Sequence, residues 1–196
     1  MVLDSNSFHF LAYISRMKHI HRWSLMRNTI SENIAEHSLQ VAMIAHLLSH
    51  IKNTYFHGNI DANKVMEISL YHDSNEVLTS DLPTPVKYFN PEIKAAYKKI
   101  ESIASNKLLS MLPKELKQKY NDVFFCPDKE IVQLVKVSDK ISAYIKCLEE
   151  EKMGNSEFKK AKESIYSQIR DCPLPEVQYF IEYFLPSFAL TLDEMD

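Results

Sequence analysis

Glycine is almost missing from this 196-residue chain, which has only Gly58 and Gly154. A phosphate-binding loop or a dinucleotide fingerprint needs several glycines within one turn, so both are all but excluded. An all-β architecture is disfavoured as well, because its tight turns consume glycine. Cysteine is sparse and scattered: Cys126, Cys147 and Cys172 are odd in number and form no C-x-x-C pair. That pattern fits free thiols in a reducing compartment better than a disulfide frame or a zinc ribbon. There is no basic block. Lys and Arg total 23 against 26 Asp and Glu, for a net charge of −3, which gives a nucleic-acid-binding surface no support. The chain also lacks a signal-like apolar stretch at its start and any run of about 18 apolar residues able to span a membrane. The expected setting is the cytoplasm, with no nucleic acid and no membrane as partner.

What is present is ordinary in amount and informative in order. Hydrophobic residues make up 45% and charged residues 25%, as in soluble globular proteins. The length suits a single domain over residues 1–196 with a sizeable core. Apolar periodicity predicts an all-α fold with helices over 5–17, 32–52, 61–77, 91–112, 113–120, 128–151, 156–170 and 173–184. The expected caps are Ser5 or Asn6, Thr29 or Ser31, Asp61 and Asp128. The inward stripe of the fourth segment reads Ile93, Tyr97, Ile100, Ile103, Ala104 and Leu108. That of the sixth reads Ile131, Leu134, Val135, Ser138, Ile141, Ser142, Ile145 and Leu148, with the two serines as its small polar members.

Titratable residues fall on these stripes where apolar ones are expected. His37 lies between Ile34 and Val41, and His72 continues the face of Val65 and Ile68. Asp73 follows His72 directly, and Asp139 sits beside the stripe of the sixth segment. An inward imidazole needs a hydrogen-bond partner or a metal, and an inward carboxylate needs a cation. For Asp139 the plainer account is an ion pair with Lys136 or Lys140. Taken together, two imidazoles and two carboxylates on three helices suit Mn, Co, Fe or Zn more than Ca or Mg. Glu76, three beyond Asp73 and four beyond His72, shares their helix face and suits proton transfer with water activated by such an ion. His46 and His50 are also four apart but lie off the stripe, and read as surface or interface residues. The stretch Lys18-His19-Ile20-His21-Arg22-Trp23-Ser24 reads either as a connector with a half-buried Trp or as an anion-contacting loop. Thr79 to Lys87, broken by Pro83 and Pro85, reads as a turn or as a rigid pocket wall.

The order His37, His72-Asp73, Asp139 resembles the metal-binding signature of the HD-domain phosphohydrolases. Longer stretches are similar to the bacterial 5′-deoxynucleotidases of the YfbR type: Arg22-Trp23-Ser24-Leu25-Met26-Arg27, Glu36-His37-Ser38-Leu39-Gln40-Val41-Ala42, Tyr71-His72-Asp73, Asp81 through Phe89, and Pro186 through Glu194. The resemblance implies a helical HD domain, usually a homodimer, that hydrolyses deoxyribonucleoside 5′-monophosphates to deoxyribonucleoside and phosphate. It implies that His37, His72, Asp73 and Asp139 bind one divalent transition metal ion, Co²⁺ or Mn²⁺ first, with Zn²⁺, Cu²⁺ or Fe²⁺ as alternatives. Glu76 and Arg22 match the catalytic pair. Arg22, Trp23, His37, Asp73, Asp81, Leu82, Pro83 and Thr84 match substrate contacts, with Trp23 beside the sugar. Two rival expectations remain: a phosphohydrolase of this fold acting on a triphosphate, dinucleotide or signalling nucleotide, or a nucleotide-binding regulator that does not hydrolyse.

Overall fold

Helix follows helix through the whole of residues 7–196, which the computed structural model describes. In chain order these are α1 (Phe10–Ile14), α2 (Ile34–Tyr55), α3 (Ala62–Tyr71), α4 (Glu76–Thr79) and α5 (Thr84–Lys87). They continue as α6 (Pro91–Leu109), α7 (Lys114–Phe124), α8 (Lys129–Lys152), α9 (Lys159–Arg170) and α10 (Pro175–Tyr183). Single 3₁₀ turns extend α1 to His19, precede α9 and close the tail. The described residues contain no strand; one isolated antiparallel bridge joins His21 to Asn33.

The core forms where α2, α3 and α8 meet. Ala45, Leu48 and Ile51 of α2, Val65 and Ile68 of α3, and Leu134, Ile141 and Ile145 of α8 make one apolar cluster. Ile169 of α9 with Val177 and Phe180 of α10 close it from the side. Each fully buried aliphatic or aromatic side chain here contributes about 1.5–3 kcal/mol, enough collectively to hold polar residues on the same faces. Asp61 and Asp128 cap α3 and α8 as expected, each accepting from backbone N–H groups of the first turn. The three cysteines are free. No described helix is long and apolar enough to cross a membrane.

Four expectations change. The cap of α2 is Asn33, whose Oδ1 accepts from Ala35 N and Glu36 N while Glu36 returns a bond to Asn33 N. Thr29 and Ser31 are unavailable for capping because residues 20–22 pair with 32–34: Ile34 N donates to Ile20 O and Arg22 N to Glu32 O, both at 2.9 Å. Ser31 meets His21 Nδ1 instead. Second, α3 stops at Tyr71 rather than running to Val77. The backbone tightens to i→i−3 bonds, with His72 N to Ser69 O, Ser74 N to Tyr71 O and Glu76 N to Asp73 O, before α4 begins. Third, α6 buries Tyr97, Ala104, Ser105, Leu108 and Leu109, while Ile100 and Ile103 are 49% and 68% exposed. Periodicity identified an apolar face, but the neighbours of α6 cover a face rotated from it. Fourth, the first helix is short, beginning at Phe10, and the caps expected at Ser5 or Asn6 fall outside the described residues.

Candidate metal centre

His37 on α2 and His72 at the end of α3 turn their rings toward each other, with centroids 5.4 Å apart. Each ring is fixed through Nδ1. His37 Nδ1 lies 3.0 Å from Ser142 Oγ, and that hydroxyl donates to Gln40 Oε1, so the serine oxygen is the acceptor for the imidazole. His72 Nδ1 lies 2.6 Å from Ser69 O, a group that only accepts. Those acceptors place the single proton of each neutral ring on Nδ1, the form in which Nε2 would present a lone pair to a cation. Both Nε2 atoms are buried and neither has a hydrogen-bond partner.

Carboxylates surround those two nitrogens. Asp73 Oδ2 is 3.2 Å from His72 Nε2 and 3.6 Å from His37 Nε2, and Asp139 Oδ1 is 3.0 Å from His37 Nε2. One ligand atom from each of His37, His72 and Asp139 falls within 4.8 Å of the others. Orphaned lone pairs facing carboxylates are costly unless a cation joins them. The donor set and its spacing therefore fit one divalent transition ion. Burial opposes charge on His72, yet the neighbouring Asp73 carboxylate outweighs it and pushes the imidazole up to about 9. Asp73 sits well below the usual carboxylate range: burial works against its charge, but His72, His37 and Arg22 overcome it. Asp139 is lowered too: burial works against its charge, but the hydrogen bond and charge of His37 outweigh it.

The loop after α1 closes the site from above. Arg22 is nearly buried, its guanidinium 3.5 Å from Asp73, 4.0 Å from Asp139 and 3.0 Å from Glu32. Burial opposes its charge, but these acids and Asp81 raise its pKa further above the ordinary value. Trp23 is half-buried beside Phe158, with ring centroids 5.2 Å apart, and its indole Nε1–H donates to Glu32 Oε2 at 2.9 Å. The loop is a connector with a half-buried Trp, and it also turns Arg22 toward the carboxylates of Asp73 and Asp139.

Glu76 opens α4 and is buried, with Oε2 lacking a hydrogen-bond partner. Burial together with the charges of Asp73 and Asp81 pushes its carboxyl up to about 10, against the smaller pull of Arg22 and Lys87. Asp81 is raised mainly by burial. Leu82 and Pro83 are half-buried and Thr84 exposed, leading into α5, where Pro83 O accepts from Val86 and Lys87. Lys87 is held by Glu101 at 2.6 Å and lies over the Tyr97 ring. So the structure gathers His37, His72, Asp73, Asp139, Arg22 and Glu76 into one centre, with Trp23 and Asp81 at its edge. Asp139 pairs with His37 and Arg22 rather than with Lys136 or Lys140. His46 and His50 lie apart, on the outer side of α2, with their Nε2 atoms 3.2 Å from each other.

Glu32, Gln40 and Lys87 were not legible as site residues. Glu32 read only as part of a helix start, and nothing local marks a carboxylate that serves two side chains nine and ten residues away. Ser142 did carry a signal, a hydroxyl on an otherwise apolar stripe.

A model described as 5′-deoxynucleotidase YfbR-like matches residues 9–188. A 5′-deoxynucleotidase of Vibrio vulnificus is 52% identical over 189 residues, covering 95% of this chain and 97% of that protein. Among solved structures, an HD-domain phosphohydrolase from Listeria innocua superposes with a TM-score of 0.80 at 21% identity, over 92% of this chain and 88% of that one. The HD phosphohydrolase of cyanophage S-2L, bound to dA and one catalytic Zn²⁺ ion, gives a TM-score of 0.65 at 21% identity, over 90% and 96%. At that identity the two structures share the fold.

Proposed function

The chain belongs to the YfbR-like 5′-deoxynucleotidase family, and on that premise we propose that it hydrolyses deoxyribonucleoside 5′-monophosphates to deoxyribonucleoside and phosphate. The observation that carries the reading is the pair of buried, unpartnered Nε2 atoms of His37 and His72 against the carboxylates of Asp73 and Asp139. These four residues would hold one divalent transition ion, Co²⁺ or Mn²⁺ first. When bound, such an ion supplies Lewis-acid charge that offsets the phosphate and lowers the pKa of a water molecule.

The chain's own groups do the rest. Arg22, fixed by Glu32 through Nε, keeps both terminal nitrogens on the side of Asp73 and Asp139, where it clamps the non-bridging phosphate oxygens as charge spreads over them. Glu76 carries or takes the proton that the cleaved ester bond requires, through its unpartnered Oε2. Trp23 stands beside the sugar and excludes a 2′-hydroxyl by its bulk. His37 and Asp73 also border the phosphate, and Asp81, Leu82, Pro83 and Thr84 form the wall on the nucleoside side. We place the enzyme in the cytoplasm, as one HD domain over residues 1–196 that works as a homodimer; the absence of a membrane-spanning helix among the described residues is compatible with this.

The test is phosphate release from dAMP and AMP in parallel, using EDTA-treated protein with Co²⁺, Mn²⁺, Zn²⁺ or Mg²⁺ returned. The expected outcome is ion-dependent release from dAMP and little from AMP. No release from dAMP by protein that has demonstrably bound the ion would overturn the reading.

A further inference from the structure

A single oxygen atom joins the two residues that meet the two halves of the substrate. Glu32 Oε2 accepts from Arg22 Nε at 3.0 Å and from Trp23 Nε1 at 2.9 Å. The carboxylate is largely buried, at 13% exposure, and its other oxygen lies 3.8 Å from His37 Nδ1. Its backbone is tied in as well, since Glu32 O accepts from Arg22 N at 2.9 Å.

Trp23 needs that support. Its φ is +58°, in the left-handed region that a bulky residue with a Cβ occupies only when its surroundings enforce it. The main chain is held there by Met26 N and Asn28 Nδ2, which both donate to Trp23 O. Phe158 packs against the ring with centroids 5.2 Å apart. The bond from Nε1 to Glu32 adds a directional hold on the indole, and the same oxygen holds the guanidinium.

We propose that Glu32 is the positioning residue for sugar selection: by gripping Arg22 and Trp23 through one oxygen, it fixes the distance between the phosphate clamp and the indole wall. This rests on the reading of Arg22 and Trp23 given above. A 2′-hydroxyl is rejected only if the ring cannot retreat while Arg22 holds the phosphate. Displacement of about 1 Å between two such groups is enough to change rates by up to about 100-fold. Selectivity for deoxyribose is thus a property of the Arg22–Glu32–Trp23 unit rather than of the indole alone.

The experiment compares wild type, Glu32→Ala, Glu32→Gln, Trp23→Ala and the Glu32→Ala/Trp23→Ala double variant. Two readouts are taken: the ratio of kcat/KM for dAMP over AMP, and the emission and acrylamide quenching of Trp23, the only tryptophan in the chain. Glu32→Ala is expected to lower the ratio at least about 10-fold, toward that of Trp23→Ala. Its emission should shift to the red with easier quenching, and the double variant should fall no further than Trp23→Ala. Glu32→Gln keeps an oxygen acceptor and should retain most of the ratio. A variant that is merely less folded loses activity on both substrates in proportion. An unchanged ratio with unchanged emission in Glu32→Ala, or full additivity in the double variant, would overturn the proposal. A wild type inactive on dAMP defeats the deoxynucleotidase reading instead, while the emission of Glu32→Ala still decides whether Glu32 holds the indole.

Discussion

Glu150 is the buried charge on which the loop above the metal centre depends, and its replacement by alanine tests that dependence. The carboxylate is fully buried on α8 and accepts from Thr29 N at 2.8 Å, Ile30 N at 3.1 Å and Asn155 Nδ2 at 2.7 Å. Lys146, itself 3% exposed, donates to Glu150 and to Ile30 O. Glu150→Ala would leave a buried ammonium with one carbonyl as partner and two backbone N–H groups with none. Breaking a buried pair from one side costs about 3–5 kcal/mol, a large share of the roughly 5–15 kcal/mol that keeps a domain folded. At about 2–4 °C per kcal/mol for a chain of this size, Tm should fall by about 6–20 °C. Lys146→Met should cost less, because the carboxylate keeps three N–H donors. Urea unfolding with linear extrapolation measures both. A Glu150→Ala protein within about 1 kcal/mol of wild type would refute the reasoning. Acid provides an independent check. Burial works to raise the Glu150 pKa from its ordinary 4.5, but Lys146, Asn155 and the Thr29 and Ile30 amides hold it far below. Its contribution is therefore complete above pH 4.5 and is lost as pH falls below that toward the depressed value. Glu150→Ala should show a shallower loss of stability over that range.

Glu76→Gln should keep its metal content, measured by elemental analysis, while turnover on dAMP falls about 10²–10⁴-fold; full turnover in the metal-replete variant would remove Glu76 from the chemistry. Ser142→Ala removes the acceptor for His37 Nδ1 and should weaken metal affinity about 10–100-fold in a chelator competition, with the fold intact by circular dichroism. Leu134→Ala, at a fully buried position of α8, should cost about 2–5 kcal/mol in urea unfolding without altering the dAMP to AMP ratio.

The amino-acid order alone marked the helical class, the caps at Asp61 and Asp128, and His37, His72-Asp73 and Asp139 as candidate ligands, which the fold brings together. Those features are local, or they recur with the period of a helix, so a linear reading reaches them. Tertiary structure decided what local order cannot encode. The i→i−3 turn after Tyr71 ends α3 early, so Glu76 comes to the centre on its own short helix rather than on the face of α3. The pairing of residues 20–22 with 32–34 moved the cap of α2 to Asn33 and freed Glu32 to serve Arg22 and Trp23. Ile100 and Ile103 share an apolar stripe yet face solvent, because periodicity names a face without naming what will cover it. The tautomers of His37 and His72 follow from Ser142, more than a hundred residues from His37 along the chain, and from a carbonyl oxygen of α3 that no side-chain pattern marks. Ligands can be read from residue type and spacing. The groups that orient them are chosen by packing, and packing exists only once the helices have met.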